Sequence, residues 1–155
     1  MSSIERVRAY LTQHGIDSQV VELDKSTRTA PMAAEAIGTE LGSIVKSLIF
    51  VVEDKIVLAL VAGDKRADLS KLARELGAGE VRIANAEEVR EKTGFAIGGV
   101  PPVGHHSPLP TVIDRSLDRF KIVYAAAGSP RAIFPIPYDQ LVQLTQGKVA
   151  DITED

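Results

Sequence analysis

The sequence predicts a single α/β domain: a mixed, mostly antiparallel, barrel-like β-sheet of six to seven strands with helices packed around it. Three observations predict it. At 155 residues the chain has the size of one domain with a full core. Two apolar runs, 45–52 and 56–62, are separated by a tight turn at Asp54-Lys55, the pattern of an antiparallel hairpin. Around them lie short amphipathic segments, opened by Ser, Thr, Asp or Asn and closed by Gly. They interleave irregularly with short strands, so the sheet should be mixed rather than wholly parallel.

In order, residues 3–14 read as a helix, with Ile4, Val7 and Leu11 on one stripe, Ser2 or Ser3 as the cap and Gly15 as the stop. Residues 19–23 form a short strand. Thr29 caps an Ala-rich helix, with Pro31 tolerated in its first turn and an end near Gly38 or Gly42. The hairpin comes next. Asp68 caps a helix over 69–76, with Leu69, Leu72, Ala73 and Leu76 on one face. A strand over 80–84 leads to Asn85, whose partner Glu88 stands three residues on, as in a capping box, and that helix ends at Thr93-Gly94. Residues 111–114, 121–127 and 132–136 read as three more strands, 138–145 as a last helix, and 148–153 as a tail.

Composition removes several classes of function. With no cysteine the chain has no disulfide, thiolate metal site or thiol nucleophile. No apolar run is long enough to span a bilayer and the start Met-Ser-Ser-Ile-Glu-Arg lacks a signal-peptide pattern, so no membrane role and a cytoplasmic location are expected. The net charge of −3 argues against an extended nucleic-acid footprint and leaves room only for a narrow contact with a terminus.

Two stretches carry chemistry. Gly42 to Val52 is a buried strand, and Lys46 sits among its apolar residues. Such a lysine must snorkel out, find a carboxylate or meet an anionic ligand. Gly98-Gly99-Val100-Pro101-Pro102-Val103-Gly104-His105 is a stiff loop in which glycine permits close approach and proline fixes the chain. Each has a plain alternative, a strand-entrance lysine in water and a rigid surface connection. Read together they form two walls of one pocket.

Other groupings are weaker. His105, His106 and Asp114 lack metal-ligand spacing, and no metal or other cofactor is expected. A Ser–His–Asp set drawn from Ser107 or Ser129 with His105 and Asp114 lacks the turn that presents a serine nucleophile. Asp64, Lys65, Arg66 and Asp68 read as a solvated turn and cap. Gly128-Ser129-Pro130-Arg131 reads as a hairpin turn, and Thr27-Arg28-Thr29 as a capping sequence at a helix N-terminus, where an anion can sit.

In sequence order the pieces are Ser26-Thr27-Arg28-Thr29-Ala30, Ile44-Val45-Lys46-Ser47-Leu48, Phe95 through Gly104, Leu109 through Asp114, Ala125-Ala126-Ala127-Gly128 and Val149-Ala150-Asp151-Ile152. Together they resemble the YbaK-type aminoacyl-tRNA editing domain, the family that includes the insertion domain of bacterial prolyl-tRNA synthetases, over nearly the whole of 1–155. The resemblance implies hydrolysis of the ester joining a wrong small amino acid (Cys, Ala, Ser or 2-aminobutyrate) to the 3′ end of tRNA, proline tRNA above all. By the same resemblance Lys46 lies near the acyl carbonyl and the terminal ribose or phosphate. The main chain of Gly98, Gly99, Val100, Pro101 and Pro102 surrounds the aminoacyl group, and Gly128 and Ser129 close the pocket. Thr29, Gly104, His105 and Asp114 complete the expected substrate-binding set.

An activated ester needs positioning, oxyanion stabilisation and a nucleophile rather than a strong base. That nucleophile is water, oriented by main-chain groups or the substrate's ribose hydroxyl, or for a cysteinyl substrate its own thiol. Leu23 stands where the cysteinyl-preferring branch carries an aromatic, which turns the expectation away from cysteine. The chain carries no anticodon-reading module, so tRNA selection would come from the acceptor end or from a partner such as prolyl-tRNA synthetase. A non-catalytic module that binds aminoacyl-tRNA or docks on a synthetase, and a hydrolase for another small ester or aminoacyl adenylate, are the alternatives.

Overall fold

The structure is a computed structural model that describes residues 2–17 and 19–155. Among these residues five helices and eight strands succeed one another as α1 (Ser3–Gln13), β1 (Val21–Glu22), α2 (Ala30–Ile37), β2 (Val45–Val52), β3 (Lys55–Ala62), α3 (Leu69–Leu76), β4 (Val81–Ile83), α4 (Ala86–Thr93), β5 (Thr111–Asp114), β6 (Ile122–Ala126), β7 (Ala132–Pro137), α5 (Tyr138–Thr145) and β8 (Lys148–Ala150). Short 3₁₀ turns at Leu41–Ser43 and Arg115–Arg119 lead into β2 and out of β5.

Local chemistry accounts for the helix ends. The Ser2 hydroxyl accepts from the Glu5 amide and Glu5 returns the bond, closing a capping box on α1. Asn85 and Glu88 do the same for α4, where Arg82 grips the Glu88 carboxylate in two bonds of 2.7 and 2.8 Å. Thr29 Oγ1 caps α2, Asp68 caps α3, and Gly38, Gly77 and Gly94 take the left-handed conformation just beyond α2, α3 and α4.

The strands form two sheets, ordered β1-β7-β6 and β4-β2-β3-β5-β8. The β2–β3 hairpin is the spine of the larger one, paired from Val45↔Ala62 to Val52↔Lys55. Its two-residue loop is Glu53-Asp54, one residue earlier than expected, with Glu53 at positive φ. One face of the hairpin, carrying Val45, Ile49, Leu58 and Leu60, packs with α1 and the β6–β7 ribbon in the main core. The other face, carrying Phe50, Val57, Ala59 and Val61, packs on Leu72 of α3 and on Ile152.

Three expectations are corrected. Among the described residues the sheets close no barrel: β4 meets only the far half of β2, and β6 reaches the start of β2 through a single parallel bridge, Ile44↔Tyr124. The predominance of antiparallel pairs holds, with β3–β5 and β5–β8 the two parallel ones. The tail is not a bare extension, because residues 148–150 add as β8 beside β5. The Asp114 carboxylate then pins the chain beyond β8 by accepting from the Ile152 amide at 2.9 Å. Leu69 is 46% exposed, so the face that α3 buries is Leu72, with Ala73 and Leu76 partly buried beside it.

Candidate active site

The gap between the two sheets holds a cavity of about 370 Å³, near the lower end of the roughly 300–1,000 Å³ usual for small-molecule sites. One wall is the start of β2, residues Val45 to Leu48. Facing it are Ile97, Gly98 and Val100 of the Gly/Pro loop, and the capping segment Thr27–Pro31 of α2 forms a third side. Ile133, Tyr124 and Ala126 complete the apolar lining.

The Gly/Pro loop is held there by contacts that only glycine allows. Gly98 has φ +84°, and a Cβ on it would stand 2.5 Å from Cγ of Arg28. A Cβ on Gly99 would stand 2.7 Å from the carbonyl carbon of Ser129 and 3.0 Å from the nitrogen of Pro130. The Gly99 carbonyl accepts from the Gly128 amide at 3.0 Å, and the Pro130 carbonyl accepts from the amide of Thr27 at 2.6 Å. Loop, hairpin turn and capping segment are therefore one locked unit. The Gly99 amide donates back to the Ala96 carbonyl at 2.9 Å. That amide is committed to the turn, which leaves those of Gly98 and Val100 as the loop's candidate donors.

Lys46 sits half-buried at the rim. Its ammonium donates to the Lys65 carbonyl, with Arg66 and Asp64 close enough to act on it electrostatically. Burial pulls its pKa below the ordinary lysine value, the Arg66 charge adds to that, and Asp64 opposes it. Asp64 is itself held by Arg119 through two bonds of 2.7 and 2.9 Å, which lower its pKa. Lys46 is thus flanked by cations and by a carboxylate already engaged elsewhere.

Of the residues expected at the site, Thr29, Lys46, Gly98 and Val100 line this cavity. Gly99, Gly128 and Ser129 stand directly behind its wall. Leu23 lies outside the lining, packed beside Ala30, Ala33 and Ile133 and bordering a separate open groove with Met32 and Glu35. Pro101 is buried, and its carbonyl accepts from Nε2 of His105 at 2.8 Å. Pro102, Gly104 and His105 line a second, smaller cavity of about 90 Å³ with Tyr10 and Leu109. Asp114 is 1% exposed and serves the fold, accepting from Ser116 and from Ile152. Among the described residues no group of three or more His, Cys, Asp or Glu could hold a metal ion, and no helix is long and apolar enough to cross a membrane.

Sequence reasoning gave no site role to Ser47, Tyr124, Ala126 and Ile133, and placed Arg28 only in a capping sequence where an anion can sit; all five line the cavity. Tyr124 and Ala126 could have been found as alternate residues on one face of β6. Arg28 was readable only as part of a cap.

A small α/β domain with a half-buried lysine facing a glycine loop across an apolar cleft fits acyl-group recognition. The comparisons define the class further: the family model "aminoacyl-tRNA editing domain" matches residues 24–144, and the chain belongs to that family, the YbaK/ProX type. It is 36% identical to the uncharacterised protein YwhH of Bacillus subtilis (strain 168), over 99% of this chain and 98% of that one. It is also 36% identical to the multifunctional Ser/Thr-tRNA deacylase ProXp-y of Escherichia coli (strain K12), over 80% of this chain and 77% of that one. Among solved structures, a candidate trans-editing enzyme for prolyl tRNA synthetase superposes with a TM-score of 0.93 at 50% identity, covering 100% of this chain and 99% of the other. Family members are aminoacyl-tRNA deacylases.

Proposed function

We propose that this chain, acting as one editing domain over 1–155, hydrolyses the ester between a small wrong amino acid and the 3′-terminal ribose of tRNA, with proline tRNA as the main substrate. The observation that carries this reading is the shared cavity: Lys46 and the Gly98–Val100 loop are opposite walls of a cleft sized for a small acyl group.

In this mechanism the acyl side chain enters the lining of Val100, Ala126 and Ile133, and the Lys46 ammonium holds the terminal ribose or its phosphate. Water, or the thiol of a cysteinyl substrate, attacks the carbonyl carbon, and the oxygen becomes an oxyanion facing the Gly98 and Val100 amides. The proton lost by the nucleophile goes to the ribose oxygen, and the product is the free amino acid, or with the thiol its cyclic thioester. Collapse breaks the bond to the ribose oxygen, which leaves as the hydroxyl after taking a proton. Fixed main-chain dipoles cost no reorganisation as the charge develops, so a preorganised loop suits an already activated ester. Burial of Lys46 strengthens its field at the carbonyl. Exclusion of the correct amino acid rests on shape, because one methylene in an apolar pocket discriminates by only about 1–3 kcal/mol.

The test is a deacylation screen of proline tRNA charged with Ala, Cys, Ser, Thr, 2-aminobutyrate and proline. Release of at least one small amino acid with proline retained supports the reading. No turnover of any of them, at enzyme in excess over tRNA, refutes it.

A further inference from the structure

The cavity opens onto a stretch of β2 edge with which no strand forms a ladder among the described residues. Gly63 donates its amide to the Ile44 carbonyl at 2.7 Å, so that carbonyl, and by alternation the main-chain polar groups of Lys46 and Leu48, turn toward β3. On the opposite edge the Ala84 amide donates to the Ile49 carbonyl at 2.9 Å. Ser47, two residues back from Ile49, therefore turns its own N–H and C=O away from β3. β4 pairs with that edge only from Phe50 onward, and β6, which runs close beside the start of β2, is bridged to the chain only at Ile44–Tyr124 among the described residues. Five consecutive residues, 44–48, line the cavity. A cavity on one face of a sheet would meet every second residue, so this one looks at the strand edge-on. The Ser47 hydroxyl is also buried without a hydrogen-bond partner among the described residues.

The N–H and C=O of one strand residue form the donor–acceptor pair that exchanges two bonds with the opposing residue in an antiparallel ladder. An α-aminoacyl group carries the complementary pair, a carbonyl oxygen that accepts and an α-ammonium that donates. We propose that the aminoacyl end of the substrate docks on Ser47 as a single ladder rung, the Ser47 N–H bonding the acyl carbonyl oxygen and the Ser47 C=O accepting from the α-ammonium. This rests on the deacylase reading and deepens it. Ser47 supplies a donor across the cleft from Gly98 and Val100, and the site takes α-aminoacyl esters with a free amine. An N-acylated ester is excluded because the gap is about one rung long. A further residue would run into the ends of β4 and β6. An ester lacking the amine leaves the Ser47 carbonyl without its partner.

The test uses the full chain and three non-hydrolysable 3′-amide adenosine analogues, carrying L-alanyl, propionyl and N-acetyl-L-alanyl groups. Amide hydrogen exchange read by NMR should show Ser47 exchanging at least ten-fold faster than Lys46 and Leu48 in the free protein. Saturation with the alanyl analogue should slow Ser47 at least ten-fold, and the other two should bind at least ten-fold more weakly. A Ser47 amide as protected as its neighbours before ligand is added overturns the rung, as does binding of the alanyl analogue with Ser47 exchange unchanged or equal binding of all three. If none of them binds at concentrations where mischarged tRNA is turned over, the rung fails alone. If none binds and no mischarged tRNA is turned over, the deacylase reading falls with it.

Discussion

Replacing Gly99 by alanine tests whether the locked unit of loop, turn and capping segment sets the activity. The added Cβ would lie 2.7 Å from the Ser129 carbonyl carbon, 2.9 Å from its Cα and 3.0 Å from the Pro130 nitrogen, all of them main chain. Relief to an ordinary contact of 3.4 Å requires a separation of 0.7 Å, the difference between 3.4 and 2.7. The turn cannot retreat alone, because the Pro130 carbonyl holds both the amide and the hydroxyl of Thr27. The strain therefore reaches Arg28 and Thr29 on the cavity wall. Overpacking of this kind costs about 1–3 kcal/mol. At roughly 2–4 °C per kcal/mol for a domain of this size, Tm should fall by about 2–12 °C. Displacement of the loop amides by a fraction of an ångström to an ångström should lower kcat/KM by up to about 10²-fold. Gly79→Ala is the control, since nothing lies within 4 Å of its Cβ and its φ is not in the left-handed region. Thermal unfolding and single-turnover deacylation read both effects. Wild-type Tm and wild-type turnover in Gly99→Ala would refute the argument that this close approach builds the site.

Other outcomes are expected from the same geometry. Lys46→Ala should lower deacylation by about 10²-fold or more with little change in Tm, while Lys46→Arg keeps a charge and part of the activity. Because burial and Arg66 lower the Lys46 pKa, its charge is lost at a pH below the ordinary value of 10.5. KM of the wild type should then rise with pH over that range, and KM of Lys46→Arg should stay flat. His105 is partly buried and its pKa is lowered by that burial, so the fold prefers the neutral ring. The stability tied to it is complete above the ordinary value of 6.5 and is lost as the pH falls below it, the unfolded chain binding the proton first. Urea unfolding of His105→Gln should show a shallower loss of stability on acidification. Asp114→Ala strands the buried Ile152 amide and should cost about 1–3 kcal/mol in urea, and unchanged stability would show that the carboxylate does not hold the tail.

The helices and the hairpin were legible because their signals are local. A cap and a left-handed glycine frame each of α2, α3 and α4, and two apolar runs around a tight turn leave one pairing. What could not be read was set by distant partners. β8 is three residues of mixed polarity that become a strand only because β5 offers an edge and Asp114 an acceptor. Barrel closure depended on how far β4 and β6 run along β2, and their lengths carry no signal of it. At the site, Lys46 and the glycines stood out by being out of place in their surroundings. Ser47 did not, since its distinction is the direction of its main-chain groups. Pro102, Gly104 and His105 come soon after Gly98 in sequence, yet the chain turns after Pro101 and carries them to another cavity.

An unpaired strand edge is ordinarily a hazard, a template on which neighbouring molecules can stack into fibrils. Here the exposed stretch is too short to seed such growth and lies recessed between the ends of two strands, so another protein's backbone cannot lie along it. Colloidal safety and chemical selectivity thus come from the same shortness. Lengthening the gap by trimming the end of β4 at Ile83 or loosening the bridge at Tyr124 would put both at risk together.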